Sequence, residues 1–273
     1  LPPEQFAKLQ KELPGEVFTT RTLATYSYEL NNKKAPFDNV NIRKALNLSL
    51  DRNVITDKVL GQGQTPTYVF TPTYIEEGHL IQQPAYSKEP MAQRNEEAIK
   101  LLEEAGYSKA NPLKFTILYN TNENHKKVAI AAASMWKANT KGLIDVKLEN
   151  QEWKTYIDSR RAGRYDAARA GWNADYNQAT TFGNYFLSNS SNNTAKYANP
   201  EYDKAIAESY VATDAEGRAK AYAKAEEILA KDYGIVPIFN YVNPRLVKPY
   251  VKGYSGKDPQ DHIYLRNLYI IKH

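Results

Sequence analysis

The sequence predicts an α/β fold, a sheet whose strands alternate with helices, on three observations. Between residues 113 and 170 the apolar pattern switches repeatedly between a period of two and one near 3.6, a strand–helix–strand–helix–strand run that favours a parallel sheet covered by helices. The hydrophobic fraction of 42% and the charged fraction of 25% are ordinary for a globular chain, and 273 residues suffice for one large domain or two modest ones. No stretch approaches the roughly 18 consecutive apolar residues of a membrane span, so the chain is not expected to be membrane-spanning.

The elements follow in order. Residues 2–13 read as a helix that stops at Pro14-Gly15, and residues 24–30 as a strand. After a polar turn over 31–36, Asp38 is a plausible N-cap for Val40, Ile42, Ala45, Leu46, Leu50 and Val54 at mostly helical spacing. Residues 61–90, rich in Gly, Pro, Thr and Gln, lack sustained periodicity and read as a long irregular excursion. A helix over 92–105 ends at Gly106. Then come a strand at Leu113, Phe115, Ile117 and Tyr119, a helix over 123–139, a strand at Ile144, Val146 and Leu148, a helix over 151–162 and a strand over 165–170. Beyond the Ser/Asn-rich loop 188–194, Asn199-Pro200 opens one helix, and Thr213 with Glu216 forms a capping-box pattern ahead of another over 219–230. Residues 235–238 read as a short buried strand, and no repeat of solenoid length is present.

Composition narrows the chemistry. The net charge of +5 arises from 36 basic against 31 acidic residues, and clusters such as Lys33-Lys34 and Lys126-Lys127 read as solvated surface, so a nucleic-acid partner is not expected. Zero cysteines exclude disulfides, thiolate metal sites and a Cys nucleophile, and leave the compartment open. The 21 tyrosines suit an amphipathic ligand surface, and core use explains many of them equally well. The chain begins Leu1-Pro2-Pro3-Glu4, with no signal peptide visible, which reads as a removed leader or a fragment. There is no Gly-rich phosphate loop, G-x-S-x-G elbow or H-E-x-x-H, and His79, His125, His262 and His273 show no metal-ligand spacing. No catalytic residue, cofactor or metal is expected.

In an open α/β sheet, ligands bind beyond the carboxyl ends of the strands. Two loops are thereby picked out, Asn120 to His125 after Tyr119, and Gly171-Trp172-Asn173-Ala174-Asp175-Tyr176-Asn177 after Ala170. Asp175 reads either as a turn or N-cap residue or as an anchor for an ammonium group. Trp172 is large enough for the core, yet its polar neighbours suit a pocket wall. Arg160, Arg161, Arg164 and Arg169 form the densest basic cluster; most such arginines are solvated or paired, but Arg169 ends a strand at the rim and could take a carboxylate in a bidentate pair.

Several segments are familiar. Asp38 through Leu46 with Leu50-Asp51-Arg52, Asn95 to Ala98 through Leu101 to Tyr107, Ala225 to Leu229, and Ile235-Val236-Pro237 resemble the signature of family 5 extracellular solute-binding proteins. Leu118 to Thr121, Asn150 to Thr155, Ala168 to Trp172, Ala174 to Asn177, Ser190 to Ala195, and the tail from Arg245 to Pro249 through Asn267 to His273 are similar to the Gram-negative oligopeptide-binding subgroup. The similarity covers essentially the whole chain and about half of a full family member.

The resemblance implies a periplasmic-binding-protein-like (type II) lobe with a mixed, largely parallel sheet flanked by helices. Residues 24–240 would form this carboxyl-terminal lobe, with 1–23 and 241–273 returning to the first lobe. It also implies capture of short peptides for import, with the membrane subunits of an ABC transporter as partners and the periplasm as location. Asp175 would receive the peptide amino group, and Arg169, Arg160 or Arg161, and His125 would meet carboxylates of peptides of different length. Trp153, Trp172 and Tyr241 would line the cleft, and the backbone from Gly171 to Asn173 would pair with the peptide as a strand does. Two departures stand out: Ala24 and Asn173 occupy positions that are Cys in close relatives, and Arg161 stands where His is frequent. A murein-peptide or other specialised receptor on the same scaffold is the nearest alternative. A peptidase using the same cleft is the rival from another class, and it lacks an activated nucleophile or metal spacing.

Overall fold

A computed structural model describes residues 3–272, so the Pro2 start of the first helix, and His273, lie outside the described residues. The elements are α1 (Pro3–Glu12), β1 (Val17–Leu30), α2 (Val40–Leu48), a π-helical turn (Val54–Leu60), β2 (Thr65–Pro66), α3 (Met91–Glu104), β3 (Leu113–Asn120), α4 (Glu123–Asn139), β4 (Ile144–Gln151), α5 (Trp153–Arg161), β5 (Ala167–Asn173), α6 (Thr180–Gly183), α7 (Pro200–Val211), α8 (Ala215–Lys231), β6 (Ile235–Leu246), and the small pair β7 (Val251–Lys252) and β8 (Tyr269–Ile270).

Six strands form one mixed sheet in the order β2-β6-β1-β5-β3-β4. The strand–helix run from β3 to β5 is parallel as its connections require, β3 pairing with both β4 and β5. The β1–β5, β1–β6 and β2–β6 pairs are antiparallel, so the parallel share is smaller than the sequence pattern implied.

Alternation along β1 builds two cores. Tyr26, Tyr28 and Leu30 enter a cluster with Ile42 and Leu46 of α2, Leu102 of α3, Phe115 and Ile117 of β3, and Trp136 of α4. On the other face Phe182, Tyr202, Ile206, Tyr222 and Leu229 pack together under α6, α7 and α8. Tyr156 of α5 covers Leu118 and Ala168 in a smaller third cluster. Trp136 is fully buried, and its indole N–H donates to the Leu46 carbonyl at 2.9 Å.

Most helix starts carry the caps expected of Asn, Asp and Glu. Asn122 accepts from the amides of Asn124 and His125, and Asn199 accepts from Glu201 ahead of an N1 proline. Two expected caps move by one residue. Asn39, not Asp38, caps α2 through the Asn41 amide, while the Asp38 carbonyl faces Arg43. Asp214, not Thr213, caps α8 by accepting from the Gly217 amide.

Three strands outrun their sequence patterns. β1 starts at Val17 rather than residue 24, β5 runs on to Asn173, and β6 continues to Leu246 through Pro237 and Pro244. Proline removes a ladder donor and is tolerated where a strand edge is open. β2 pairs with β6 only at Phe239 and Asn240, which leaves the remainder of that edge without a strand partner. The 61–90 excursion is largely irregular as expected, and buried Glu226 anchors it by accepting from the Thr71 amide at 3.1 Å and its hydroxyl at 2.7 Å.

Ala24 and Asn173 are direct partners across β1 and β5. Antiparallel partners lie within the Cα separation that a disulfide spans. Oxidised A24C/N173C should therefore resist denaturant better than its reduced form, by about 2–4 kcal/mol. Equal unfolding midpoints for the two forms would show that this end of the ladder is misplaced.

Candidate ligand-binding site

A cleft of about 650 Å³ opens beyond the carboxyl ends of β3 and β5. Thr22, Leu23 and Ala24 of β1, Arg169, Gly171 and Asn173 of β5, and Tyr241 and Asn243 of β6 form its floor. His125 in the first turn of α4, Trp153 at the start of α5, and the segment Pro259 to Asp261 complete the walls. Pro259 reaches the site because its carbonyl accepts from the Leu23 amide at 2.8 Å. No sequence signal marked that segment, nor Thr22 to Ala24 or Asn243, since long-range pairing alone brings them here.

Six of the ten residues expected to form the site therefore line one cleft: His125, Trp153, Arg169, Gly171, Asn173 and Tyr241. Trp153 is 53% exposed and overhangs the rim, stacked on Tyr156 at 5.9 Å. Trp172 faces away. Its ring packs edge-on against Tyr185 at 4.9 Å and its N–H donates to the Thr181 hydroxyl at 3.2 Å, which makes it part of the second core.

Asp175 is exposed just past β5, next to Ala174 of the cleft wall. Its amide donates to the Thr181 hydroxyl at 3.2 Å, and its carbonyl accepts from Gln260 at 3.5 Å. The excursion braces this rim from below: the Ala179 amide donates to the Glu76 carbonyl at 3.0 Å, and Gln178 donates to Glu77 at 3.0 Å.

The arginines separate sharply. Arg169 lies in β5 with its guanidinium carbon 5.1 Å from the Tyr26 ring centroid, and donates to the Tyr241 hydroxyl. Burial works against its charge, and the neighbouring hydroxyls of Tyr241, Tyr26 and Tyr156 outweigh it, so the guanidinium stays protonated. Among the described residues no carboxylate forms an ion pair with it. By contrast Asp261, the acid in the cleft wall, is held by Arg245 at 2.6 Å and by Asn243 at 2.5 Å. Arg169 is the cleft's uncompensated charge.

Arg160 does not reach the cleft. It is buried beneath α5, and its Nη2 pairs with fully buried Glu29 at 2.9 Å and donates to the Tyr185 and Thr194 hydroxyls at 3.2 and 2.9 Å. Burial disfavours the Arg160 charge, and Glu29 beside it more than restores it. Arg161, next on the same helix, points into solvent because adjacent helical residues diverge by about 100°. The expectation that either arginine meets a ligand carboxylate is corrected by this packing.

His125 sits in the cleft uncharged. Burial, and then the Arg169 charge, push its pKa down to about 3, and its ring lies 5.6 Å from Tyr26. Its Nδ1 meets no hydrogen-bond partner among the described residues. An uncharged imidazole can meet a carboxylate as a hydrogen-bond donor through its ring N–H.

Beyond Ala168, β5 continues alone on one side. Its pairing with β3 covers only Ala167 and Ala168, whereas its pairing with β1 extends to Asn173. The Arg169 carbonyl accepts from the Tyr156 hydroxyl, and among the described residues 170–173 have no strand partner on that side, so they present a backbone edge to the cleft beside the Arg169 side chain.

The sheet thus brings an open strand edge, a cation without an ion-pair partner among the described residues and an exposed acid to one end of the molecule. Residues 1–194 match the model for "Bacterial extracellular solute-binding proteins, family 5 Middle", and the chain belongs to that family. It is 97% identical over 273 residues to the periplasmic oligopeptide-binding protein OppA of Haemophilus influenzae, and 44% identical over 272 residues to the periplasmic murein peptide-binding protein MppA of Escherichia coli. These alignments cover 100% of this chain and 50% of either relative, so the chain spans about half the length of the curated relatives it matches. The crystal structure of H. influenzae OppA in complex with RPPGFSPFR superposes with a TM-score of 0.94 at 96% identity, covering 100% of this chain and 53% of that one. The E. coli murein tripeptide-binding protein MppA gives a TM-score of 0.91 at 43% identity, with the same coverage.

Two predictions follow from the charges. Arg160→Met leaves Glu29 buried and unpaired and should destabilise the fold by about 3–5 kcal/mol, while E29Q/R160M recovers most of the loss; a neutral single substitution in a urea titration would contradict the pairing. His125 is held neutral well below its unfolded pKa of ~6.5. Its contribution to stability is complete above that value and is lost as pH falls toward about 3. His125→Gln should therefore flatten the acid limb of a stability-versus-pH curve; an unchanged slope between those limits would count against it.

Proposed function

We propose that this chain forms most of one peptide-gripping lobe of a receptor that captures short oligopeptides for import by an ABC transporter. The observation that carries this reading is the β5 edge at residues 170–173 lying beside Arg169, a half-buried cation with no ion-pair partner among the described residues. An edge of this kind supplies main-chain hydrogen bonds to an extended chain, and the cation suits the carboxylate at that chain's end. Asp175, exposed six positions further on, suits the amino end. The relative that shares 97% identity is named as an oligopeptide-binding protein, and the murein-peptide relative shares 44%, which favours the broader peptide reading.

Residues 24–240 are the lobe in this proposal, and residues 1–23 and 241–273 continue toward a second lobe. The support is the β1–β6 ladder, whose register shifts between Arg21 and Thr25 before its outer rungs run from Arg21 with Val242 to Val17 with Leu246. The proposed location is the periplasm, as the names of both relatives state for those proteins, and the proposed partners are transporter membrane subunits. Among the described residues no helix is long and apolar enough to cross a membrane. In this role the chain performs no covalent chemistry.

In the full-length protein, Asp175→Ala should weaken short-peptide binding by about 2–5 kcal/mol, the loss typical of one partner in a desolvated charge pair. Acetylating the peptide amino group should weaken it similarly. Calorimetry in which both changes are nearly neutral would remove Asp175 from the site, and a full-length protein that binds no short peptide would end the proposal.

A further inference from the structure

Arg169 and Gly171 are two residues apart on β5, so both project from the same face of the sheet. Across the ladder Tyr28 lies opposite Arg169, and Tyr26 lies opposite Gly171. The Arg169 side chain therefore runs diagonally toward Tyr26, and its path crosses the space over Gly171. A Cβ at position 171 would stand 2.9 Å from Arg169 Nη2, 3.4 Å from Cζ and 3.2 Å from the Tyr241 hydroxyl. Carbon and nitrogen do not approach that closely, so any side chain at 171 displaces the guanidinium.

Backbone conformation does not account for this glycine. Gly171 lies within a regular strand and is not among the glycines with positive φ. Glycine inside a strand weakens it, unless another group needs the vacated space. Here the space is filled by the guanidinium. Tyr241 closes its far side as acceptor for Nη2, and is itself held against Phe239 at 5.2 Å and Tyr26 at 6.0 Å between ring centroids.

We propose that Gly171 and Tyr241 are positioning residues that fix Arg169 as a receptor for the terminal carboxylate of a bound chain. Gly171 does so by leaving the space over β5 that the guanidinium occupies, and Tyr241 by orienting its Nη2. Selectivity for a free carboxylate thus depends on two uncharged residues. The inference rests on the peptide-binding reading above and adds the residues that set its end-group preference.

The test is calorimetry on the full-length protein and its G171A and Y241F variants, with short peptides of graded length, each as free acid and as carboxyl-terminal amide. The displaced atoms in G171A belong to the far end of a flexible side chain, so its thermal unfolding should match that of the parent. The parent should prefer the free acid at the length whose carboxylate reaches Arg169. Both variants should lower that acid-over-amide preference by about tenfold or more. Preserved acid-to-amide ratios in both variants would overturn the positioning roles, as would a parent that binds peptides without acid preference at any length; in either case the peptide reading stands. A parent that binds no peptide would overturn both.

Discussion

The antiparallel ladder of Val17–Leu30 with strands on both sides constrains everything else in the molecule. β1 is the strand at which the parallel half of the sheet meets the β6 hairpin-like half, so its register sets which side chains from each half meet. A shift of one residue would exchange its two faces. Tyr26 and Tyr28 would leave the aromatic floor, and Glu29 would leave Arg160. Because side chains on both faces are buried, the cost of such a slip falls on two cores at once.

The same register distributes two cations differently. Arg160 and Arg169 belong to one basic cluster; Arg160 is buried and Arg169 half-buried, and each loses water at a cost in free energy. For Arg160 that cost is offset inside the protein by Glu29, Tyr185 and Thr194. For Arg169 the protein provides a ring face and a phenolic oxygen, which orient the charge without neutralising it. A neutral His125 beside it adds no repulsion. The remaining electrostatic benefit is open to an anion entering from the cleft, and in the proposed role selectivity for such a ligand would follow from what the fold withholds.

Local signals in the sequence located the longer helices, the Asn199-Pro200 start and the parallel run from β3 to β5, because caps and periodicity are encoded within a few residues. The strand ends were not legible. Pro237 and Pro244 argue locally against a strand, and only the open outer edge of β6 makes them acceptable. The site was half legible for a related reason. Position at a strand end marked Arg169, but nothing in the pattern from Arg160 to Arg169 reveals that Glu29, 131 positions earlier, claims one arginine and not the other. The charge state of His125 likewise depends on burial and on a neighbour from another strand. Trp172 misled because Gly171 and Asn173 face the cleft while the alternation of β5 turns the indole to the opposite side.

An unpaired strand edge invites pairing with any extended chain, including another copy of the same protein. The exposed part of β5 is limited in ways that favour a transient guest over a permanent one. It is short, it carries a charge at Arg169, and Gly171 contributes no side chain to hold a partner sheet. Trp153 overhangs the approach and Asn173 ends the strand, so a partner strand meets few consecutive rungs. Main-chain pairing alone would therefore be weak here, and in the proposed role a bound segment would gain most when its charged end also reaches the guanidinium. In that role edge and cation together would select for short chains with a free terminus, which neither feature would do by itself.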